Sequence, residues 1–127
     1  MRCVIVDDNA SFLAASRAIL QGAELDVVGE ATTAADALHC CGELQPDLVL
    51  LDIDLGDDSG IEVAWQLAQD SGSPTPDVIF ISAHPAEDYA DIVEESPALG
   101  FIGKSELSAD AVTALLSDHN GRHRESR

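Results

Sequence analysis

The stretch LVLLDIDLGDDSG, residues 48–60, changes character at Asp52: an apolar run stops and a loop rich in Gly and Asp begins. An unbroken run such as Val49, Leu50 and Leu51 reads as a strand covered on both faces, the pattern of a parallel sheet wrapped by helices. Ligands of open α/β sheets bind outside the carboxyl ends of such strands. Asp52 therefore stands where chemistry is done. Strands also end at Asp for ordinary turn reasons, so the segment needs company.

Company comes from three further runs. Cys3, Val4, Ile5 and Val6 stop at Asp7 and Asp8; Val78, Ile79, Phe80 and Ile81 stop at Ser82; residues 99–102 lead to Lys104. Taken singly, each has a plainer explanation: Asp8 or Asn9 as a helix cap, Ser82 as a turn residue, Lys104 as a solvated lysine. Taken together they place three carboxylates, a hydroxyl and an ammonium on one edge of one sheet.

Between these runs the pattern alternates strand and helix, which predicts five strands and five helices in a three-layer α/β/α domain. Phe12, Ala15, Ser16 and Ile19 are expected on the buried face of the first helix, with Leu13, Ala14 and Arg17 opposite. The second strand is expected near residues 25–29. A second helix over 33–42 turns Ala34, Ala37, Leu38 and Cys41 inward, and a third after Gly60 buries Val63, Ala64, Leu67 and Ala68 while leaving Trp65 partly exposed. Residues 71–76 read as a loop, and helices near 85–94 and 108–117 flank the Lys104 strand.

A length of 127 residues allows one core, here expected over residues 1–118, with 119–127 as a disordered tail or linker stub after Asn120 and Gly121. No apolar stretch approaches the roughly 20 residues that cross a bilayer, and a cytoplasmic protein without membrane contact is expected. Three cysteines without metal-type spacing read as small apolar residues. The net charge of −18 argues against direct nucleic-acid binding by this domain, because phosphates would face that field.

Several carboxylates within a few ångströms repel, which raises their pKa values or recruits a cation. An all-oxygen donor set on a partly open site suits Mg²⁺, which keeps waters and usually takes a phosphate oxygen as well. A phosphoryl donor beside a carboxylate oxygen then points to an acyl phosphate, with Lys104 and Ser82 neutralising and orienting the transferred group.

In order and spacing the chain resembles the receiver domains of two-component response regulators, relatives of the chemotaxis regulators. An acidic pair, Asp7 and Asp8, follows the first strand; Gly60 lies eight residues after Asp52, Ser82 thirty after it, and Lys104 twenty-two after that. The resemblance covers residues 1 to about 118. It implies a doubly wound, flavodoxin-like five-stranded parallel sheet of order 2-1-3-4-5. It also implies that Asp52 takes a phosphoryl group from a sensor histidine kinase. Asp8, Asp52 and the Asp54 carbonyl would hold Mg²⁺, with Asp7 acting through water. Lys104, Ser82 and the amides of Asp54 and Ala83 would cradle the phosphoryl group. Ser82 and Phe101 would be the switch pair that remodels the face of helix 4, strand 5 and helix 5, where a homodimer is expected. Such a domain is a signalling module that catalyses only its own phosphorylation and dephosphorylation, controlling transcription through a fused or partner output domain.

Departures from the family pattern add expectations. Phe101 lacks the hydroxyl of a tyrosine, so switching is expected to be weaker. Ser105 stands where many members carry proline after the lysine, and Gly56 replaces a common proline in a loop expected to be mobile without metal. Asp54 and His84 flank the path of an attacking water and are expected to approach each other and set the acyl-phosphate lifetime. Two other functions stay open: a receiver-like interaction module that works without phosphate, and a haloacid-dehalogenase-like phosphatase, suggested by Asp52, Ile53 and Asp54. The position of Asp7 and Asp8 ahead of the acceptor strand speaks against the phosphatase.

Overall fold

The structure, a computed structural model, describes residues 1–22, 25–69 and 75–125, with the backbone alone for residue 86 and residues 118–125. Five parallel strands form the central sheet: β1 (Arg2–Val6), β2 (Asp26–Ala31), β3 (Leu48–Asp52), β4 (Asp77–Ser82) and β5 (Gly100–Gly103). Their spatial order is β2-β1-β3-β4-β5. This is the order 2-1-3-4-5 expected from the sequence, and the helices are α1 (Ala10–Leu20), α2 (Ala34–Leu44), α3 (Gly60–Gln69), α4 (Ala90–Glu95) and α5 (Ala109–Glu125).

The strands explain the layers. Successive side chains point to opposite faces, so Cys3, Ile5, Leu48, Leu50, Ile79 and Ile81 enter one core with Leu13 and Leu20 of α1 and Val112 and Leu116 of α5. Val4, Val6, Val49, Leu51, Val78 and Phe80 enter the other, against Ala37 and Cys41 of α2 and Val63, Ala64 and Leu67 of α3. Because β1, β3 and β4 lie inside the sheet, nearly all their residues are fully buried. Each such Leu, Ile or Phe contributes roughly 2 kcal/mol of hydrophobic stabilisation before chain entropy is counted.

Local chemistry sets the helix starts. Asn9 Oδ1 accepts from the Phe12 amide to cap α1, and Thr33 Oγ1 accepts from the Asp36 amide to cap α2. The α1 face differs from expectation. Leu13, Ser16 and Leu20 are buried, whereas Ile19 is 51% exposed and Phe12 only half-buried. Two apolar stripes overlap in this helix, and the sheet takes the one bearing two leucines. Ser16 is tolerated there because its hydroxyl donates to the Leu13 carbonyl. Ala68 of α3 is likewise exposed rather than buried, and Trp65 is 43% exposed as expected.

Boundaries also shift. β2 starts and ends later than expected, with an irregular register opposite Cys3 and Val4. The helical backbone of α5 runs to Glu125, past the expected end at Ser117 and through the Asn120 and Gly121 pair. Before α4 a 3₁₀ turn covers Ala86–Asp88. Within the loop expected at 71–76, residues 71–74 lie outside the described residues. Among the described residues no peptide bond is cis, so Lys104 and Ser105 are joined in trans and open a 3₁₀ turn, Lys104–Glu106. No helix there is long and apolar enough to cross a membrane. Burial pushes the thiols of Cys3 and Cys41 up to about 12, in keeping with small apolar core residues.

Candidate functional site

Parallel strands put their carboxyl ends on one edge, and registry aligns them: Val6 pairs with Leu51, Asp52 with Ile81, and Ser82 with Gly103. Just beyond these pairs lie Asp7 and Lys104, one residue on, and Asp8, two residues on. They surround a cleft of about 200 Å³ whose walls include Asp8, Asp52, Asp54, Ser82, Ala83 and Lys104. Asp7 is wholly buried beneath it.

Lys104 Nζ lies 2.7 Å from Asp7 Oδ2 and 3.1 Å from Asp52 Oδ2. The second oxygens are held as well: Asp7 Oδ1 accepts from the Asn9 amide at 2.9 Å and Asp52 Oδ1 from the Asp54 amide at 3.0 Å. Burial pushes the Asp52 carboxyl above its ordinary range, opposed by the hydrogen bonds from Asp54 and Lys104 and reinforced by the charge of Asp7. For Lys104 burial acts downward, but the bonds and charges of Asp7 and Asp52 outweigh it and hold the ammonium above its usual 10.5.

One oxygen each from Asp7, Asp8 and Asp52 can be chosen so that all three lie within 4.8 Å of one another. Three carboxylates against one lysine leave the cleft short of positive charge. The donors are hard oxygens, and this set fits a divalent cation such as Mg²⁺.

Two glycines make the geometry attainable. A Cβ on Gly60 would stand 2.0 Å from the Asp52 carbonyl oxygen, so only glycine lets α3 start against the end of β3. Gly56 has φ +74° and turns a two-residue hairpin in which Asp54 and Leu55 pair with Ser59 and Asp58. The acidic loop forms this hairpin, and Asp58 Oδ2 ties it to α2 by accepting from the Ala34 amide at 3.0 Å.

His84 joins the cleft wall, and its amide donates to Ser82 Oγ at 3.0 Å. No ion pair links it to Asp54 among the described residues. The imidazole meets the Tyr89 ring edge-on, with centroids 6.3 Å apart. Tyr89 stacks in turn on Phe101 at 6.2 Å, so Phe101 lies outside the cleft and lines a groove of about 440 Å³ with Ile102, Glu106 and Leu115. Sequence reading missed Tyr89, which has no periodicity to single it out. It took Phe12 only as a core residue, although that ring lies 4.6 Å from Lys104 Nζ.

The model of the response regulator receiver domain family matches residues 3–116. The DNA-binding transcriptional activator EvgA of Escherichia coli K12 is 28% identical over 121 residues, covering 95% of this chain and 58% of EvgA. The DNA-binding response regulator MtrA of Mycolicibacterium paratuberculosis is 38% identical over 99 residues, covering 69% of this chain and 43% of MtrA. This chain therefore spans about half the length of these curated relatives. Among solved structures, the signal receiver domain of the response regulator NarL from Mycobacterium tuberculosis superposes with a TM-score of 0.78 at 30% identity, covering 94% of this chain and 96% of that one. With the family model spanning the sheet from Cys3 onward, four helices entire, the first part of α5 and every strand end of the cleft, the chain belongs to the response regulator receiver domain family.

Proposed function

We propose that Asp52 is the phosphoacceptor of this receiver domain, taking its phosphoryl group from the phosphohistidine of a sensor histidine kinase. One observation carries this reading: the buried Asp52 carboxylate, at the open end of β3, is paired with Lys104 at 3.1 Å inside a ring of acidic oxygens. Asp7, Asp8, Asp52 and the backbone carbonyl of Asp54 would hold Mg²⁺, which when bound neutralises the carboxylates and the incoming phosphoryl oxygens.

A carboxylate oxygen of Asp52 forms the new P–O bond as the donor P–N bond breaks, and the imidazole nitrogen leaves with the electron pair. Lys104 meets the negative charge gathering on the phosphoryl oxygens. Ser82 accepts from the His84 amide, so its own hydroxyl proton is free to be donated to a phosphoryl oxygen. The amides of Asp54 and Ala83 complete the cradle. Asp54 and His84, on the cleft wall, set the lifetime of the acyl phosphate. Ser82 and Phe101, the latter through its stack with Tyr89, bias the face of α4, β5 and α5 towards a kinase-dependent partner or a second copy of the chain.

Residues 1–118 act as the switch and 119–127 as the start of a linker, in a cytoplasmic protein whose output is transcriptional control by a fused or partner domain. The names of EvgA and MtrA support that output. The domain turns over nothing but its own phosphoryl group.

Intact-mass spectrometry after incubation with acetyl phosphate tests this. A single phosphoryl adduct that requires Mg²⁺ and disappears in Asp52→Asn is expected. Failure of the folded, Mg²⁺-loaded protein to form an adduct would favour a phosphate-independent interaction module, and turnover of added phosphate esters would favour a phosphatase.

A further inference from the structure

Lys104 is confined from three directions. Two are the carboxylates of Asp7 and Asp52; the third is the Phe12 ring, whose centroid lies 4.6 Å from Nζ. The loop that places the Asp7 carboxylate also places the ring, because Asn9 donates its amide to Asp7 Oδ1 and accepts the Phe12 amide on its own Oδ1. Phe12 is half-buried and packs against the core between α1 and α5, a task an aliphatic side chain could also perform. Only an aromatic ring presents a negative face to an ammonium.

We infer that Phe12 is a positioning residue for phosphoryl transfer, holding the Lys104 ammonium over the acceptor through a cation–π contact. This rests on the reading of Asp52 as phosphoacceptor. In the cleft as it stands, Lys104 divides its donors between Asp7 and Asp52. With acetyl phosphate as donor, an Asp52 oxygen forms the new P–O bond while the P–O bond to acetate breaks and acetate departs with the electron pair. Asp52 then no longer carries a free carboxylate, and one Lys104 N–H is released to a phosphoryl oxygen. A ring face attracts the ammonium without accepting that N–H through a directed lone pair, so it keeps the head in place while the hydrogen bond changes hands. It also keeps water from that side of the ammonium.

Graded fluorination separates this role from packing, since it drains the ring face while barely changing its shape. Phe12 is replaced site-specifically by 4-fluoro-, 3,5-difluoro- and 3,4,5-trifluorophenylalanine in the full chain, and the initial rate of adduct formation from acetyl phosphate at saturating Mg²⁺ is followed by intact mass. The rate is expected to fall stepwise, by about fivefold overall, at an unchanged thermal midpoint. Phe12→Leu falls at least as far, and Phe12→Tyr stays within about twofold of the wild type. A wild type that labels at a rate indifferent to fluorination overturns the positioning role and leaves Asp52 as acceptor, even if Phe12→Leu is slow, because packing alone then explains that loss. A wild type that does not label refutes the acceptor and the positioning role together.

Discussion

Asp7, although wholly buried, holds Lys104 through the shorter of the lysine's two ion pairs, with Oδ2 and Nζ 2.7 Å apart. Lys104 is thus the cation that lets two carboxylates share the base of the cleft. Lys104→Met leaves both without it and is expected to cost about 3 kcal/mol at pH 8, measured by urea unfolding. The wild type has its own alkaline signature. With the folded Lys104 value above the ordinary 10.5, its stabilisation is fully present below pH 10.5 and is lost as the pH rises through the folded value. A Lys104→Met protein as stable as wild type at pH 8 would show that the cleft does not depend on this cation.

Asp52→Asn is expected to stabilise the metal-free protein. Burial and the nearby Asp7 charge raise the Asp52 carboxyl above 3.8, so stability falls as the pH climbs from there to the folded value, and the penalty persists at neutral pH. Removing the charge should raise the melting midpoint at pH 7 by roughly 3–5 °C, with the gain shrinking as the pH approaches 4. A lower midpoint at pH 7 would mean that the bond to Lys104 outweighs burial and repulsion.

Gly60→Ala tests the close approach of α3 to the end of β3. Its Cβ would lie 2.0 Å from the Asp52 carbonyl oxygen and 2.9 Å from the Asp52 carbonyl carbon, so backbone must move. A loss of about 3 kcal/mol in chemical denaturation is expected, together with a marked drop in labelling of Asp52. Wild-type stability would show that the strand end yields cheaply.

His84 and Asp54 flank one cleft, yet His84 rests against Tyr89 and pairs with no carboxylate of the loop among the described residues. Their effects on acyl-phosphate lifetime should therefore be independent. In dephosphorylation assays of His84→Ala, Asp54→Ala and the double variant, the rate changes should multiply to within about twofold. Strong coupling would support the direct contact expected from the sequence.

A net charge of −18 on a single domain implies self-repulsion that salt screens. Raising NaCl from about 10 mM to about 0.5 M is expected to raise the melting midpoint by several degrees at constant pH, most of it below about 0.2 M. A flat response would mean that the acidic groups are too far apart, or already paired, for their repulsion to matter.

The sequence by itself determined the five strands, their alternation with helices, and the carboxyl-end residues Asp7, Asp8, Asp52, Ser82 and Lys104 that meet in the cleft. These were legible because a strand buried on both faces must be continuously apolar, so the first polar residue marks its mouth, and parallel strands share one mouth edge. Tertiary structure alone decided which of two apolar stripes of α1 faces the sheet, burying Leu13 and Leu20 and leaving Ile19 in solvent. It also decided that His84 meets the Tyr89 ring edge-on, and that Phe12 faces Lys104. Periodicity specifies that a helix has an apolar face, but when two faces qualify the choice belongs to the shape of the sheet beneath it. The direction of a single ring leaves no periodic trace at all, since it is set by neighbours distant in the chain.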